Sequence, residues 1–149
     1  MTTAPLLGSD REQPIYIEAD SVEIDEGSGS SLYQGEVILV QGSTRITADQ
    51  VSVLQGEQRR QERVVAVGSP VTFRQQEGPA ARLVEGRALR IEYDASGDVL
   101  VMIGEAELLQ GGDTFRSDRI VYDRRRELVR AGASVQGSER VRITIQPQN

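Results

Sequence analysis

Glu105 and Glu107 stand two residues apart in "MIGEAELLQ", and on a strand that spacing puts both carboxylates on one face, where they could hold a cation or exchange a proton. Such a pair is ordinarily the solvated outer face of a strand. Arg124, Arg125 and Arg126, with Arg130 close behind, offer guanidinium forks that match phosphate oxygens. An exposed hairpin loop explains the same run. "GSGS" at 27–30 lacks the lysine and the following helix of a phosphate loop. Asp20, Asp49 and Asp118 are not spaced as a calcium loop, and stabilisation of turns or bulges is the simpler role for them.

The rest of the composition removes whole classes of chemistry. Cys and His are both absent, which excludes disulfides, thiol and imidazole nucleophiles and imidazole metal sites. No metal site, no cofactor and no enzymatic activity are therefore expected. The net charge is −6 and all 17 basic residues are Arg, so nucleic-acid backbone binding is not the task. No run approaches the roughly 18 apolar residues of a membrane span. "MTTAPLLGSD" is not a signal peptide, so the chain is either cytosolic or one whose leader has been removed.

With little chemistry to position, the elements themselves become the subject. The 149 residues fit one domain, and with two Phe, four Tyr and no Trp its core must be Val, Ile and Leu, which favours strands. Almost every apolar cluster follows period two, so the class is all-β. In "YQGEVILVQGSTRITADQVSV" (33–53), Val37 and Leu39 share a face, and Ile46 and Ala48 continue it after the Gly42-Ser43 turn. Val51 and Val53 then fall on the other parity. Such a slip would turn the apolar face to solvent unless a bulge or corner re-aims the chain. It recurs between Ile17/Ala19 and Val22/Ile24, between Val84/Gly86 and Leu89/Ile91, and between Phe115/Ser117 and Ile120/Tyr122.

A second element alternates with the first: "YQGEVILVQ", "AVGSPVTFRQ", "MIGEAELLQ" and a weaker "RAGASVQG" at 130–137, each with a Gly where a bend or close approach is expected. "DEGSGSS", "DASGD", "DRRRE" and the polar loop at 55–63 are turn signals. A repeat of about thirty residues suggests stacked β units, with a small closed barrel as the competing geometry. Closure would pair the first and last strands, whereas stacking leaves an edge at each end.

The remaining functional surface is the apolar interior. Ile15, Ile17, Val37, Leu39 and Val71 would line it together with Phe73, Leu89, Ile91, Leu108 and Tyr122. A packed core is one outcome; a slot suited to acyl chains is the other.

"QPIYIEADSVEID", "YQGEVILVQGSTRITADQVSV" and "GEAELLQGGDTFRSDRIVYD" closely resemble the OstA-like domain of the LptA family, periplasmic lipopolysaccharide transport proteins of Gram-negative bacteria. The resemblance implies an OstA-like twisted β-jellyroll of about 14–16 short antiparallel strands in two facing sheets, open at both ends. It implies a domain over 13–145, a flexible segment at 1–12 and a short tail at 146–149. By the same resemblance the interior holds lipid A acyl chains, with Ile15, Ile17, Phe73 and Tyr93 the best matched contact positions. The partners implied are lipopolysaccharide, LptC at the inner membrane, LptD at the outer membrane and further copies of the chain, joined by the strands at 14–19 and 128–145. The implied location is the periplasm, with the leader removed. The family's Lys residues and long polar tail are missing, which leaves an unguarded edge open to strand pairing. The alternatives are a structural β-solenoid adaptor with a filled core, and the related LptC periplasmic part or LptD N-terminal domain, which need an anchor or a following barrel.

Overall fold

The structure, a computed structural model, describes residues 12–55, 62–77 and 82–147. The strands are β1 (Ile15–Glu18), β2 (Ser21–Asp25), β3 (Ser30–Gln41), β4 (Thr44–Gln55), β5 (Glu62–Glu77), β6 (Arg82–Asp94), β7 (Val99–Gln110), β8 (Asp113–Asp123), β9 (Leu128–Ala131) and β10 (Arg142–Thr144). A single 3-10 turn, Gly132–Val135, interrupts the last part of the chain. It occupies half of the weaker repeat at 130–137, which therefore is not a full strand.

All strands belong to one antiparallel sheet in the order β1-β3-β4-β5-β6-β7-β8-β10, with β2 also on β3 and β9 also on β8. Chain order is sheet order, so each hairpin adds one layer. Among the described residues the sheet is not closed: β1 pairs only with β3, and β10 only with β8. Stacked units, not a barrel, are what the alternation builds.

The strand count is ten among the described residues, below the expected 14–16, and the reason lies in the parity slips. The slips in β4, β6 and β8 fall inside continuous strands as bulges, so that two expected short strands are one long one, whereas the slip at Asp20-Ser21 is a break between β1 and β2. β3 to β8 run from 11 residues in β8 to 16 in β5. Register breaks fall at Gln34/Val37, Thr47/Gln50, Val67/Val71, Arg87/Arg90 and Ile103/Ala106, which lie side by side across the sheet and form a seam. At the seam Gly35 (φ 87) and Glu36 (φ 43) take left-handed conformations, and Gly104 (φ 84) and Glu105 (φ 47) repeat them. A Cβ at Gly35 would lie 2.3 Å from the Asp20 carboxylate, so the neighbouring layer leaves no room for a side chain there.

The seam divides the sheet into two limbs. Limb one holds β1, β10 and the parts of β3 to β8 nearest the Gly42-Ser43 and Gly111-Gly112 turns. Limb two holds β2, β9 and the parts nearest the 26–29, 95–98 and 124–127 turns. Both contribute to one buried cluster, limb one through Val37, Phe73 and Leu108, limb two through Leu100, Met102 and Ile120. Met102 of limb two lies against Gly86 of limb one, so the limbs face each other across a shared interior. At the inside of the bend the side chains are small, with Ala48, Ala88, Ala106 and Ser117 all buried there.

Candidate functional site

Antiparallel register makes the interior a set of rows, each crossing the layers at one height, because directly paired residues point to the same side. The central row of limb one runs Ile17, Leu39, Ile46, Phe73, Gly86 and Leu108, each the partner of the next, and continues through Phe115 to Ile143. Limb two answers with Tyr33, Val51, Ala66, Ile91, Met102 and Ile120. Nearer its turns comes a second row, Val53, Val64, Tyr93, Leu100, Tyr122 and Val129. No charged side chain stands in any of these three rows. The result is an apolar interior running the length of the stack.

Most of the predicted interior residues lie in it. Val37, Leu39, Val71, Phe73, Ile91, Leu108 and Tyr122 are buried, and Ile17 and Tyr93 pack partly buried against them. Leu89 does not. It is 40% exposed, because Ala88 takes the inward place and the register break at Arg87/Arg90 leaves Leu89 outside the corner beside Gly104. Ile15 has the inward parity of Ile17 yet is 47% exposed, since among the described residues β1 is an outer strand with no further layer over it. Met102, Leu100, Ile46 and Val84 are buried interior residues absent from the predicted set. Their pairings with Ile91, Tyr93, Leu39 and Gln75 would have named them.

The other candidates resolve into structure. Glu105 sits in the seam, and Glu107 is an outer residue in a 2.7 Å ion pair with Arg116. Among the described residues no group of acidic side chains could hold a metal ion. The arginine run is not an open phosphate fork. The Arg124 side chain is only 7% exposed and pairs with Asp98 at 3.3 Å, Arg125 donates to the Ser96 carbonyl, and Arg126 lies against Asp123. Tyr93 donates its hydroxyl to the same Asp98, at 2.8 Å, which ties the 95–98 and 124–127 turns to the apolar rim row.

The aspartates act at corners. Asp20 has its backbone N–H shared by the Gln34 and Gly35 carbonyls. Asp118 accepts from the backbone N–H groups of Ser138 (2.8 Å) and Glu139 (3.1 Å) and from the Ser138 hydroxyl (2.9 Å). Those backbone donors, Ser138 first and then Glu139, hold its carboxyl at about 2 against an ordinary 3.8, with partial burial opposing and the Ser138 and Ser117 hydroxyls assisting.

What joins the limbs matters most for what the site can do. The strand pairings all run between neighbouring layers and within one limb. Limb meets limb through apolar side chains, as where Met102 lies over Gly86, and such contacts exchange one apolar neighbour for another at little cost. At the two ends the inward faces stay bare: Val22 is 55% and Ile143 54% exposed.

Comparison with known proteins agrees with this architecture. Residues 16–128 match the family described as LptA/(LptD N-terminal domain) LPS transport protein. The chain is 37% identical, over 95% of its length and 84% of the relative's, to the lipopolysaccharide export system protein LptH of Pseudomonas aeruginosa. It is 34% identical to the lipopolysaccharide export system protein LptA of Escherichia coli K12, covering 76% of this chain and 61% of that one. The crystal structure of LptH, described as the LptA homologous periplasmic component of the lipopolysaccharide transport device of Pseudomonas aeruginosa, superposes with a TM-score of 0.85 at 36% identity, covering 94% of this chain and all of that one. By fold and by sequence over most of its length, the chain belongs to the LptA/LptD N-terminal domain family of lipopolysaccharide transport proteins.

Proposed function

We propose that this protein is a periplasmic carrier and bridge for lipopolysaccharide, a passive and non-enzymatic role. The observation that carries the reading is the pair of facing limbs whose inward rows are apolar and meet across a shared interior. An amphiphile with several acyl chains cannot cross water cheaply, since each exposed methylene costs about 0.8 kcal/mol. Between the limbs the chains replace side-chain contacts in kind, while the sugar stays outside. Phe73, Leu108, Ile91 and Tyr122 are the contacts of greatest weight, with Ile17, Val37, Leu39, Val71 and Tyr93 around them.

Bridging follows from the two ends. Outer strands β1 and β2 at one end and β9 and β10 at the other offer unpaired backbone to a partner strand, and the bare Val22 and Ile143 offer apolar surface beside it. LptC, LptD and further copies of this chain are the partners proposed. Relatives named as lipopolysaccharide export system proteins, and a family that includes the LptD N-terminal domain, support this assignment.

A photoreactive residue at Phe73 tests the carrier reading against one at the outward Glu107, with purified lipopolysaccharide. An adduct at Phe73 alone is the expected result. Adducts at neither position would favour an adaptor with a permanently filled core.

A further inference from the structure

The charges on the outer faces are ordered along the stack. Residues 12–44, which form β1 to β3, hold seven acidic residues and no basic one, whereas 113–145, from β8 to β10, hold eight arginines against five acids. Particular rows carry this order. On the outward side of limb one, a row starts at Glu18 on β1, crosses Thr47, Arg87 and Glu107, and ends at Arg116 on β8 and Arg142 on β10. On the outward side of limb two, another starts at Glu23 on β2, crosses Leu32, Val65 and Val101, and ends at Arg130 on β9. Glu18, Glu23, Arg130 and Arg142 are exposed, and none of the four forms an ion pair with another described residue. The Tyr16 hydroxyl donates to Glu18 at 2.6 Å and steadies its carboxylate.

A solvated face needs charge, not an order of signs. The strands of the path from β1 to β10 alternate in direction, so β10 runs opposite to β1. A second copy can therefore continue the sheet with ordinary antiparallel pairing, its β1 against β10 and its β2 against β9. Apolar parity fixes such a joint only to within a slip of two residues, which leaves every inward residue inward. The charges are more selective. In the register that carries each row straight across the joint, Arg142 meets Glu18 of the next copy and Arg130 meets Glu23. A slip of two one way sets Arg142 against Tyr16 and Arg130 against Ser21; the other way carries Arg142 past the end of β1 into the corner at Asp20. Joining like ends brings like charges together, which is unfavourable across a strand pair.

We propose that these row ends set the register in which one copy joins the next, with Arg142 paired to Glu18 and Arg130 to Glu23 of the following copy. This inference rests on the end-to-end joining proposed above and adds to it a register, the residues that choose it and a dependence on ionic strength. The inward row from Ile17 to Ile143 supplies apolar area at the joint, and the charged pairs select the alignment.

Sedimentation velocity of the full chain over a concentration series tests this. Glu18→Arg and Arg142→Glu are made singly and together, Glu18→Arg is also combined with Arg130→Glu, and circular dichroism melting verifies that each variant is folded. Each single change is expected to weaken self-association about fivefold. The matched combination keeps the pair in reversed order and returns association to the wild-type level, whereas the mismatched combination weakens it further. Single variants that associate as wild type does, or a matched combination no better than the mismatched one, would overturn the register while leaving end-to-end joining intact. Wild-type protein that stays a single copy at every concentration would overturn the joining as well. Where a variant melts early, the unmodified protein supplies a second test: its association must weaken as ionic strength rises, and association that holds or tightens would overturn the proposal.

Discussion

A Cβ atom added to Gly86 would stand 2.9 Å from the sulfur of Met102. Yet Met102 is paired with Ile91, five residues further along β6, about 16 Å away on a flat strand. Only a strand folded back on itself brings Gly86 and Met102 together, so this contact measures how tightly the limbs close. A branched side chain at Gly86 acts as a wedge. Gly86→Val is expected to cost about 1–3 kcal/mol, and Met102→Ala in the same chain recovers part of that loss. Urea unfolding of the two single variants and the double variant gives the coupling; strict additivity would mean that the two residues do not meet.

Asp118 makes stability depend on pH. Its carboxyl is held at about 2 in the fold against an ordinary 3.8, so the unfolded chain takes up the proton more readily. The contribution is whole above about pH 4 and is lost as pH falls through about 2. Asp118→Asn removes the charge and with it this dependence. The expected outcome is a gap in urea midpoint between wild type and variant that narrows from pH 4 to pH 2. A gap that stays constant over that range would assign the effect to another group.

The clasp at the rim of limb two is an ion pair with little exposure on either side. Arg124 is held at 3.3 Å from Asp98, which also accepts the Tyr93 hydroxyl. Asp98→Ala takes the carboxylate from beside a buried guanidinium and is expected to cost about 3 kcal/mol. Thermal melting with and without Arg124→Met separates loss of the pair from loss of packing. A neutral effect of Asp98→Ala would show that the turn is held by its backbone bonds alone.

Self-association is expected to use the bare inward positions of the outer strands. Ile143→Arg puts a charge where the central row of limb one ends, opposite Phe115. Sedimentation velocity over a concentration series would then show wild type forming larger species and the variant holding at one copy. Wild type that sediments as a single copy at every concentration would rule out end-to-end joining of this chain.

Much of the fold was legible in parity alone. The slips after Ala19, Ala48 and Ser117 lie at the seam, and inward assignments such as Val37, Leu39, Ile46 and Val51 agree with their burial. Parity cannot tell a bulge within a strand from a break between strands, which is why six long strands were expected as twice as many short ones. It also failed at Leu89, where two apolar residues in succession, Ala88 and Leu89, compete for the single inward place and the smaller one fits the inside of the bend. Ile15 shows another gap: burial requires a neighbouring layer, and a pattern along one strand carries no information on whether that layer exists.

Because sheet order is chain order, each layer of the stack touches only the layer before it and the layer after it. Elastic cost in such an assembly is local, a sum over adjacent interfaces in the manner of a one-dimensional array. Spreading the rims at one layer strains that layer and its two neighbours and leaves the rest at equilibrium. In the proposed carrier a guest advancing between the limbs would therefore face a succession of small, similar barriers whose height is independent of the total length, and adding layers would lengthen the transit without raising the force required.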